Sequence, residues 1–264
     1  MDGPRGADLA LLTEIAREAG EAARRFFGRA PEAWEKPGGA GPVSEADLAA
    51  DRLLKARLIG ARPDYGWLSE ETPDAPERLS RERIFVVDPI DGTRAFLAGE
   101  PGWCVAAAVI EGGAPVAAVA WFPILGLLYA AAAGAGATRD GAPIRPSARA
   151  SLAGGVAYGN KSQLGPARFP GGAPEMRRAF RPSMVHRLCL VAEGEGEAAI
   201  TFNPVWEWDA AAGALIAAEA GCAVSDGAGA APVFNAPHPR LAGLIVAPPA
   251  LHAELMARAA PAGA

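Results

Sequence analysis

The chain has 264 residues, half of them apolar and 21% charged, with a formal net charge of −5; that length fills one large α/β domain or two small ones sharing an interface, and the composition excludes a disordered or fibrous chain. An acidic balance without a stripe of Lys and Arg excludes a polymeric nucleic-acid partner, and no apolar run approaches the roughly 18 residues of a membrane span. No basic start followed by an apolar block opens the chain, and Cys104, Cys189 and Cys222 are widely spaced without a Cys-x-x-Cys pair, so a cytoplasmic protein with buried, reduced thiols is expected.

From Asp8 to Phe27 apolar residues recur at Leu9, Leu12, Ala16, Ala19, Ala23 and Phe26, with Glu and Arg opposite and Gly28 as terminator. This predicts an amphipathic core helix, and acids on its polar face argue against a membrane-surface role. Lys36-Pro37-Gly38-Gly39-Ala40-Gly41-Pro42 is too rich in Gly and Pro for regular structure and is expected to form a mobile loop, with Lys36 solvated in preference to the alternative that it approaches metal or phosphate. Ser44-Glu45-Ala46-Asp47 opens a second helix reaching about Ile59, with Ser44 as N-cap and Asp47 at N3 of a capping box. A short apolar stretch, Trp67-Leu68-Ser69, then ends in two acids, Glu70 and Glu71.

Ile84-Phe85-Val86-Val87 reads as a strand that runs directly into Asp88-Pro89-Ile90-Asp91-Gly92-Thr93. Two carboxylates converging at a strand end repel each other unless a hard cation such as Mg²⁺ neutralises them. The segment therefore reads as a metal and phosphate site, with bound metal the source of local positive charge in an acidic protein.

Apolar segments from Trp103 to Ile110, Pro115 to Trp121 and Leu127 to Ala133 predict an antiparallel meander. Gly134-Ala135-Gly136-Ala137 lacks the third glycine of a dinucleotide loop and reads as a hairpin connection, followed by a turn at Thr138-Arg139-Asp140-Gly141. A boundary is placed near Pro146 to Ser151, dividing a metal-binding α+β subdomain, 1–148, from an α/β subdomain, 149–264, that completes the site. There, strands at Gly155 to Tyr158 and Ala198 to Phe202 alternate with helices near Leu188 to Ala192 and from Asp209 to Ala220, which argues for an α/β layer. Asn160 stands where a phosphate-binding P-loop needs glycine before Lys161, which excludes that motif. Asp209 opens its helix after Trp206-Glu207-Trp208, where the helix dipole favours an acid with or without metal. The Ala210-Ala211-Ala212-Gly213-Ala214 run behind it lets that helix approach a neighbour closely.

In this order, Trp67-Leu68-Ser69-Glu70-Glu71, Asp88-Pro89-Ile90-Asp91-Gly92-Thr93 and Trp208-Asp209-Ala210-Ala211-Ala212-Gly213 resemble the three motifs of the inositol monophosphatase superfamily. The likeness runs over nearly the whole chain, including Leu188-Cys189-Leu190-Val191-Ala192-Glu193-Gly194. The resemblance implies a layered αβαβα sandwich of two tightly joined subdomains, and a homodimer. It also implies that Glu70, Asp88, Asp91, Asp209 and the carbonyl of Ile90 bind Mg²⁺, roughly two or three ions. The amides of Gly92 and Thr93 would cradle the phosphate, with Asp91, Ser183, Arg187 and Asp209 completing the substrate contacts. Thr93, hydrogen-bonded to Asp47, would act with Glu70 to activate water. No covalent nucleophile is implied, in keeping with His186, His238 and His252 being scattered along the chain.

For the substrate, inositol-specific members usually carry a Glu seven residues before the last metal Asp, where this chain has Phe202. An apolar side chain cannot accept hydrogen bonds from a polyol. The family's Gly-Thr/Ser-Ala substrate loop reads Pro182-Ser183-Met184 here. Arg94 and Arg187 resemble cations of bisphosphate nucleotidases and suit a second phosphate, although both also read as surface arginines that aid solubility. The expected activity is Mg²⁺-dependent phosphomonoester hydrolysis, as a 3′(2′),5′-bisphosphate nucleotidase acting on phosphoadenosine phosphate. The alternatives are inositol monophosphatase and, in another class, a non-catalytic metal- or phosphate-binding scaffold.

Overall fold

A computed structural model describes residues 3–39 and 41–260; Ala40 in the Gly/Pro segment and the outermost residues of both expected subdomains lie outside the described residues. Helix α1 (Pro4–Arg24) buries Leu12, Ala16, Ala19 and Ala23 of the expected stripe together with Ile15; it ends before Phe26 and starts before Asp8, because Pro4 is tolerated in a first turn. Strands β1 (Ala33–Glu35) and β2 (Pro42–Ser44) pair antiparallel, so the irregular segment from Lys36 is the connection of a small hairpin, with a 3₁₀ turn at Pro37–Gly39. Ser44 and Asp47 cap α2 (Glu45–Ala61) reciprocally: Ser44 Oγ accepts from the Ala46 amide at 3.3 Å and Asp47 accepts from the Ser44 amide at 2.9 Å.

Strands β3 (Gly66–Ser69) and β4 (Arg83–Asp91) run parallel, and a short helix, α3 (Thr93–Leu97), follows β4. The expected meander is present as β5 (Cys104–Glu111), β6 (Ala114–Phe122), β7 (Leu127–Ala132), β8 (Ala137–Arg139) and β9 (Ala142–Pro143), which complete a seven-stranded sheet. The turn expected over Thr138 to Gly141 narrows to Asp140 and Gly141, because Thr138 and Arg139 pair with β7.

The second sheet begins with β10 (Val156–Tyr158) and β11 (Arg177–Ala179), after which α4 (Met184–Ala192) crosses to β12 (Ala198–Thr201). A short strand, β13 (Val205–Trp206), leads into α5 (Glu207–Ala220); β14 (Ala223–Ser225), β15 (Arg240–Leu241), β16 (Leu244–Ala247) and α6 (Pro249–Arg258) close the chain. The order of this five-stranded sheet is β11-β10-β12-β16-β14, with β10 parallel to both β11 and β12.

Alternation along the strands assigns the layers. On β5, Val105, Ala107 and Val109 face a core shared with α1 and α2, whereas Cys104, Ala106, Ala108 and Ile110 face a core shared with α4 and α5. A third core joins the outer face of the five-stranded sheet to Leu251 and Leu255 of α6. The layers thus run α1/α2, seven-stranded sheet, α4/α5, five-stranded sheet, α6, which is the αβαβα sandwich. Both faces of the larger sheet are covered, so its strands read as continuous apolar runs.

The small-residue run of α5 does allow the close approach it predicts. A Cβ placed on Gly213 would come within 2.4 Å of Leu188 Cδ1 and 2.8 Å of Leu188 Cβ, so α4 and α5 touch through a glycine. Replacement by alanine would add about 1 kcal/mol of helix propensity but incur about 2 kcal/mol of overpacking. Gly213→Ala is therefore expected to destabilise the protein by about 1 kcal/mol in urea unfolding, against the propensity trend; a stabilised variant would show that the helices separate easily.

Candidate active site

The parallel register of β3 and β4 sets Ser69 beside Val87, so Glu70 and Asp88 emerge from the carboxyl ends of neighbouring strands. Asp209 reaches the same point from the first turn of α5. One carboxylate oxygen of each lies within 4.8 Å of the others, an arrangement suited to a hard cation.

Asp91 depends on an irregularity. In a regular strand its offset of three residues from Asp88 would turn the two side chains to opposite faces. Here Asp88 pairs with Ala106 and Asp91 with Cys104, so β4 advances three residues while β5 advances two. The extra residue is a bulge that returns Asp91 to the side of Asp88. Asp91 then caps α4: Oδ2 accepts from Ser183 Oγ at 2.6 Å and the Val185 amide at 2.7 Å, and Oδ1 accepts from the Met184 amide at 3.1 Å. Its carboxylate is thus largely spent on α4 and stands beside the converging group, whereas the sequence motif presents it as an equal member.

Gly92 turns the chain from β4 into α3 at φ 98°, where a Cβ would also stand 3.3 Å from that of Ser183. Thr93 Oγ1 lies 3.2 Å from Asp47 Oδ1 and 3.1 Å from the carbonyl oxygen of Ile90, so one hydroxyl proton is shared between two acceptors. Asp47 therefore holds both of its expected positions, capping α2 and touching Thr93.

Burial and mutual repulsion govern the charge state. Asp88 and Asp209 are pushed well above the usual carboxylate range, first by burial and next by Glu70. Burial, then Glu70, moves Glu71 up to about 7; burial raises Asp91 to about 6 against the hydrogen bonds from Ser183, Val185 and Met184. Lys36 answers this excess of negative charge. Its Nζ lies 2.6 Å from Glu70 Oε1 and 2.7 Å from Glu71 Oε1 with the side chain only 14% exposed, which corrects the expectation of a solvated loop lysine. Burial disfavours its charge, but Glu70 and Glu71 outweigh that and raise its pKa.

A pocket of about 450 Å³ opens beside the carboxylates, its wall including Gly92, Thr93, Arg94, Glu100, Asn160 and Trp206. Phe180 and Arg187 line it as well. Arg94 is exposed, whereas Arg187 is 8% exposed, so a solubility role for Arg187 is excluded. Its Nε donates to the Arg181 carbonyl at 2.5 Å and Nη2 to the Pro182 carbonyl at 3.3 Å, so it clasps the segment before α4. Phe202 is not on the pocket wall; its ring meets Phe169 edge-on at 6.0 Å in the outer core. The three histidines also lie outside the pocket, and the three cysteines are free and buried.

Sequence reading missed Lys36, Glu71, Asn160 and Phe180, and also a buried support. Glu207, fully buried, accepts from the amides of Asn235 at 2.7 Å and Ala236 at 2.9 Å. Arg78 binds Asn235 Oδ1 at 2.6 Å and the Ala236 carbonyl at 2.9 Å, tying the start of α5, and so Asp209, to the segment behind β3.

Residues 8–263 match the inositol monophosphatase family. The chain belongs to that family. Similar curated proteins are a 3′(2′),5′-bisphosphate nucleotidase CysQ of Salmonella typhimurium (32% identity over 83% of this chain and 90% of that protein) and a histidinol-phosphatase of Chlorobaculum parvum (34%, 81% and 83%). An inositol-1-monophosphatase of Mesorhizobium japonicum is 34% identical over 84% and 86%. The crystal structure of the extragenic suppressor protein suhB from Bartonella henselae superimposes with a TM-score of 0.81 at 28% identity, covering 96% of this chain and 98% of that one. As a member of the inositol monophosphatase family the protein is a phosphoric monoester hydrolase, and no helix among its described residues is long and apolar enough to cross a membrane.

The raised carboxyls give this phosphatase a pH dependence of definite sign. Unfolded, they titrate near about 4; folded without a cation, Glu71 titrates near about 7 and Asp91 near about 6. Between those limits the folded state binds more protons, so its stability is full below pH of about 4 and falls as pH rises through 6 and 7. A divalent cation removes the repulsion. Thermal unfolding is expected to show roughly 2–3 kcal/mol of stabilisation over EDTA near pH 8, fading toward pH 5; a difference independent of pH would contradict this electrostatic account.

Proposed function

We propose that the protein is a Mg²⁺-dependent phosphomonoesterase whose substrate is a 3′(2′),5′-bisphosphate nucleotide, phosphoadenosine phosphate, with AMP and phosphate as products. The observation that carries the reading is the convergence of Glu70, Asp88 and Asp209 oxygens within 4.8 Å at the floor of a pocket wide enough for a small ester. These hard donors, with the Ile90 carbonyl and the remaining lone pair of Asp91 Oδ1, fit Mg²⁺, roughly two or three ions. When bound, the metal makes water more acidic and offsets the charge of the phosphoryl and leaving oxygens.

The chain's own groups do the positioning. With its proton drawn to Asp47, the Thr93 oxygen presents lone pairs that orient an attacking water, and Glu70 accepts the proton that water gives up. Gly92 and Thr93 donate their N–H groups to the phosphate. Because α3 has only five residues, those N–H groups rather than a macrodipole carry that contact. Water as the nucleophile makes no demand for a Ser-His or Cys-His pair.

Arg94 and Arg187, both on the pocket wall, support a second phosphate, and so does the similarity to a bisphosphate nucleotidase. Glu100 on the same wall supports the second reading, inositol monophosphatase, because it is an acceptor for sugar hydroxyls. A non-catalytic scaffold has no support in a site that keeps its three converging carboxylates beside Thr93 and Asp47.

Phosphate release from 3′-phosphoadenosine 5′-phosphate and from inositol 1-phosphate, each with Mg²⁺ and with EDTA, tests the reading. The nucleotide is expected to be preferred and EDTA to abolish turnover; preference for inositol phosphate would transfer the assignment, and no Mg²⁺-dependent release from either would overturn it. Glu70→Gln and Thr93→Ala are each expected to lower kcat by at least about 100-fold with an unchanged circular dichroism spectrum. Arg94→Ala should depress kcat/KM for the bisphosphate about 10-fold more than for a monophosphate, and equal losses would remove Arg94 from second-phosphate recognition.

A further inference from the structure

Besides the carboxylates, the lining of the pocket includes two aromatic rings, and their surroundings differ. Trp206 is already occupied: Trp208 stacks on it at 4.8 Å with planes 9° apart, the Arg240 guanidinium lies 4.7 Å from its ring centre, and His238 meets it at 61°. Phe180 is 45% exposed although it lines the pocket, and Arg187 Cζ lies 4.6 Å from its ring centre. A cation against one face of an aromatic ring leaves the other face for a ligand. The clasp of Arg187 on the Arg181 and Pro182 carbonyls holds the backbone next to that ring.

The sheet brings a reader of ring edges to the same place. β10 and β11 are parallel, Tyr158 sits opposite Ala179, and the Gly159 amide donates to the Ala179 carbonyl at 3.1 Å. Asn160 and Phe180 therefore follow the carboxyl ends of adjacent parallel strands, the position where open α/β sheets bind ligands. Asn160 lines the pocket and is exposed, and among the described residues no hydrogen bond to its carboxamide is formed. A carboxamide offers one acceptor and a paired donor, which matches the ring nitrogen and exocyclic amine of a nucleobase.

We infer that Phe180 and Asn160 form the leaving-group subsite, with Phe180 stacking on a planar nitrogen heterocycle, a nucleobase, and Asn160 hydrogen-bonding its edge. This rests on the phosphomonoesterase reading of the neighbouring carboxylates and deepens it, because it assigns recognition to the base and to residues apart from the cations. Phe180 and Asn160 act on substrate choice and not on the chemical step.

The test is calorimetric binding of AMP and of ribose 5-phosphate to the Mg²⁺-loaded protein, since ribose 5-phosphate carries a hydroxyl where AMP carries the base. Wild type is expected to bind AMP at least about 10-fold more tightly, Phe180→Ala to lose roughly 10- to 100-fold for AMP while ribose 5-phosphate changes less than about 2-fold, and Phe180→Trp to retain the preference. Asn160→Ala should lower AMP affinity about 10-fold, again sparing ribose 5-phosphate. No preference for AMP in wild type, an unchanged preference in Phe180→Ala, or equal losses for both ligands would overturn the inference. Phosphate release by wild type is measured in parallel. Absence of release from every ester would defeat the phosphatase reading, while the binding pair would still decide the role of Phe180.

Discussion

Like-charge repulsion among buried carboxylates governs how this fold is assembled around its pocket. Glu70, Asp88 and Asp209 bring oxygens within 4.8 Å of each other, and Asp47, Glu71 and Asp91 stand close enough for their charges to be felt. Such a group opposes folding unless something cationic stands against it. The chain sets one ammonium, Lys36, directly against Glu70 and Glu71 on the β1/β2 hairpin, and Arg187 acts from further off on Asp91 and Asp209. These two cations cannot balance six carboxylates, so the remaining demand falls on protons or metal ions. That unmet demand is what makes the site a receptor for a hard cation.

Holding mutually repelling groups in place requires rigid supports, and backbone elements supply them. Glu70 and Asp88 are fixed by the β3/β4 ladder, Asp91 by the amides at the start of α4, and Asp47 by the capping of α2. Asp209 is held by the start of α5, which Glu207 and Arg78 fasten to neighbouring segments. The Gly213 contact makes α4 and α5 one layer, so the supports of Asp91 and Asp209 cannot move independently. The precision of the site therefore comes from packing and backbone hydrogen bonds spread over three adjoining layers, α1/α2, the seven-stranded sheet and α4/α5.

Much of this was legible in the residues, for reasons that are local. The α1 stripe, the Ser44/Asp47 capping box, the meander and the strand running into Asp88 each depend on neighbours a few positions apart, where periodicity and capping chemistry act. The spacing of Asp88 and Asp91 showed that chemistry was present but not the bulge that makes it work, because a register change is a property of two strands. Lys36 was misread for a similar reason. A lysine among glycines and prolines has every mark of solvation until a fold sets Glu70 and Glu71 opposite it, 34 and 35 residues away. Arg187 carries a charge that suggests exposure, yet its clasp on Arg181 and Pro182 draws it inside. Phe202 stands seven residues before Asp209, where inositol-specific relatives carry a Glu, yet just past β12 its ring packs against Phe169.

The two sheets also divide the pocket by origin. The groups suited to phosphate chemistry stand at the end of the β3/β4 pair, where β4 is bonded on both sides, and on the helices between the sheets, where a change disturbs more than one layer. Asn160 and Phe180 follow β10 and β11, and β11 is the outermost strand of its sheet, bonded on one side only. Phe180 follows such an edge without carrying a carboxylate, so replacement or lengthening there leaves the ladder that places Glu70 and Asp88 untouched. Such a scaffold can exchange one leaving group for another over evolutionary time while its hydrolytic apparatus stays as it is, and a family built this way can diversify in substrate much faster than in reaction.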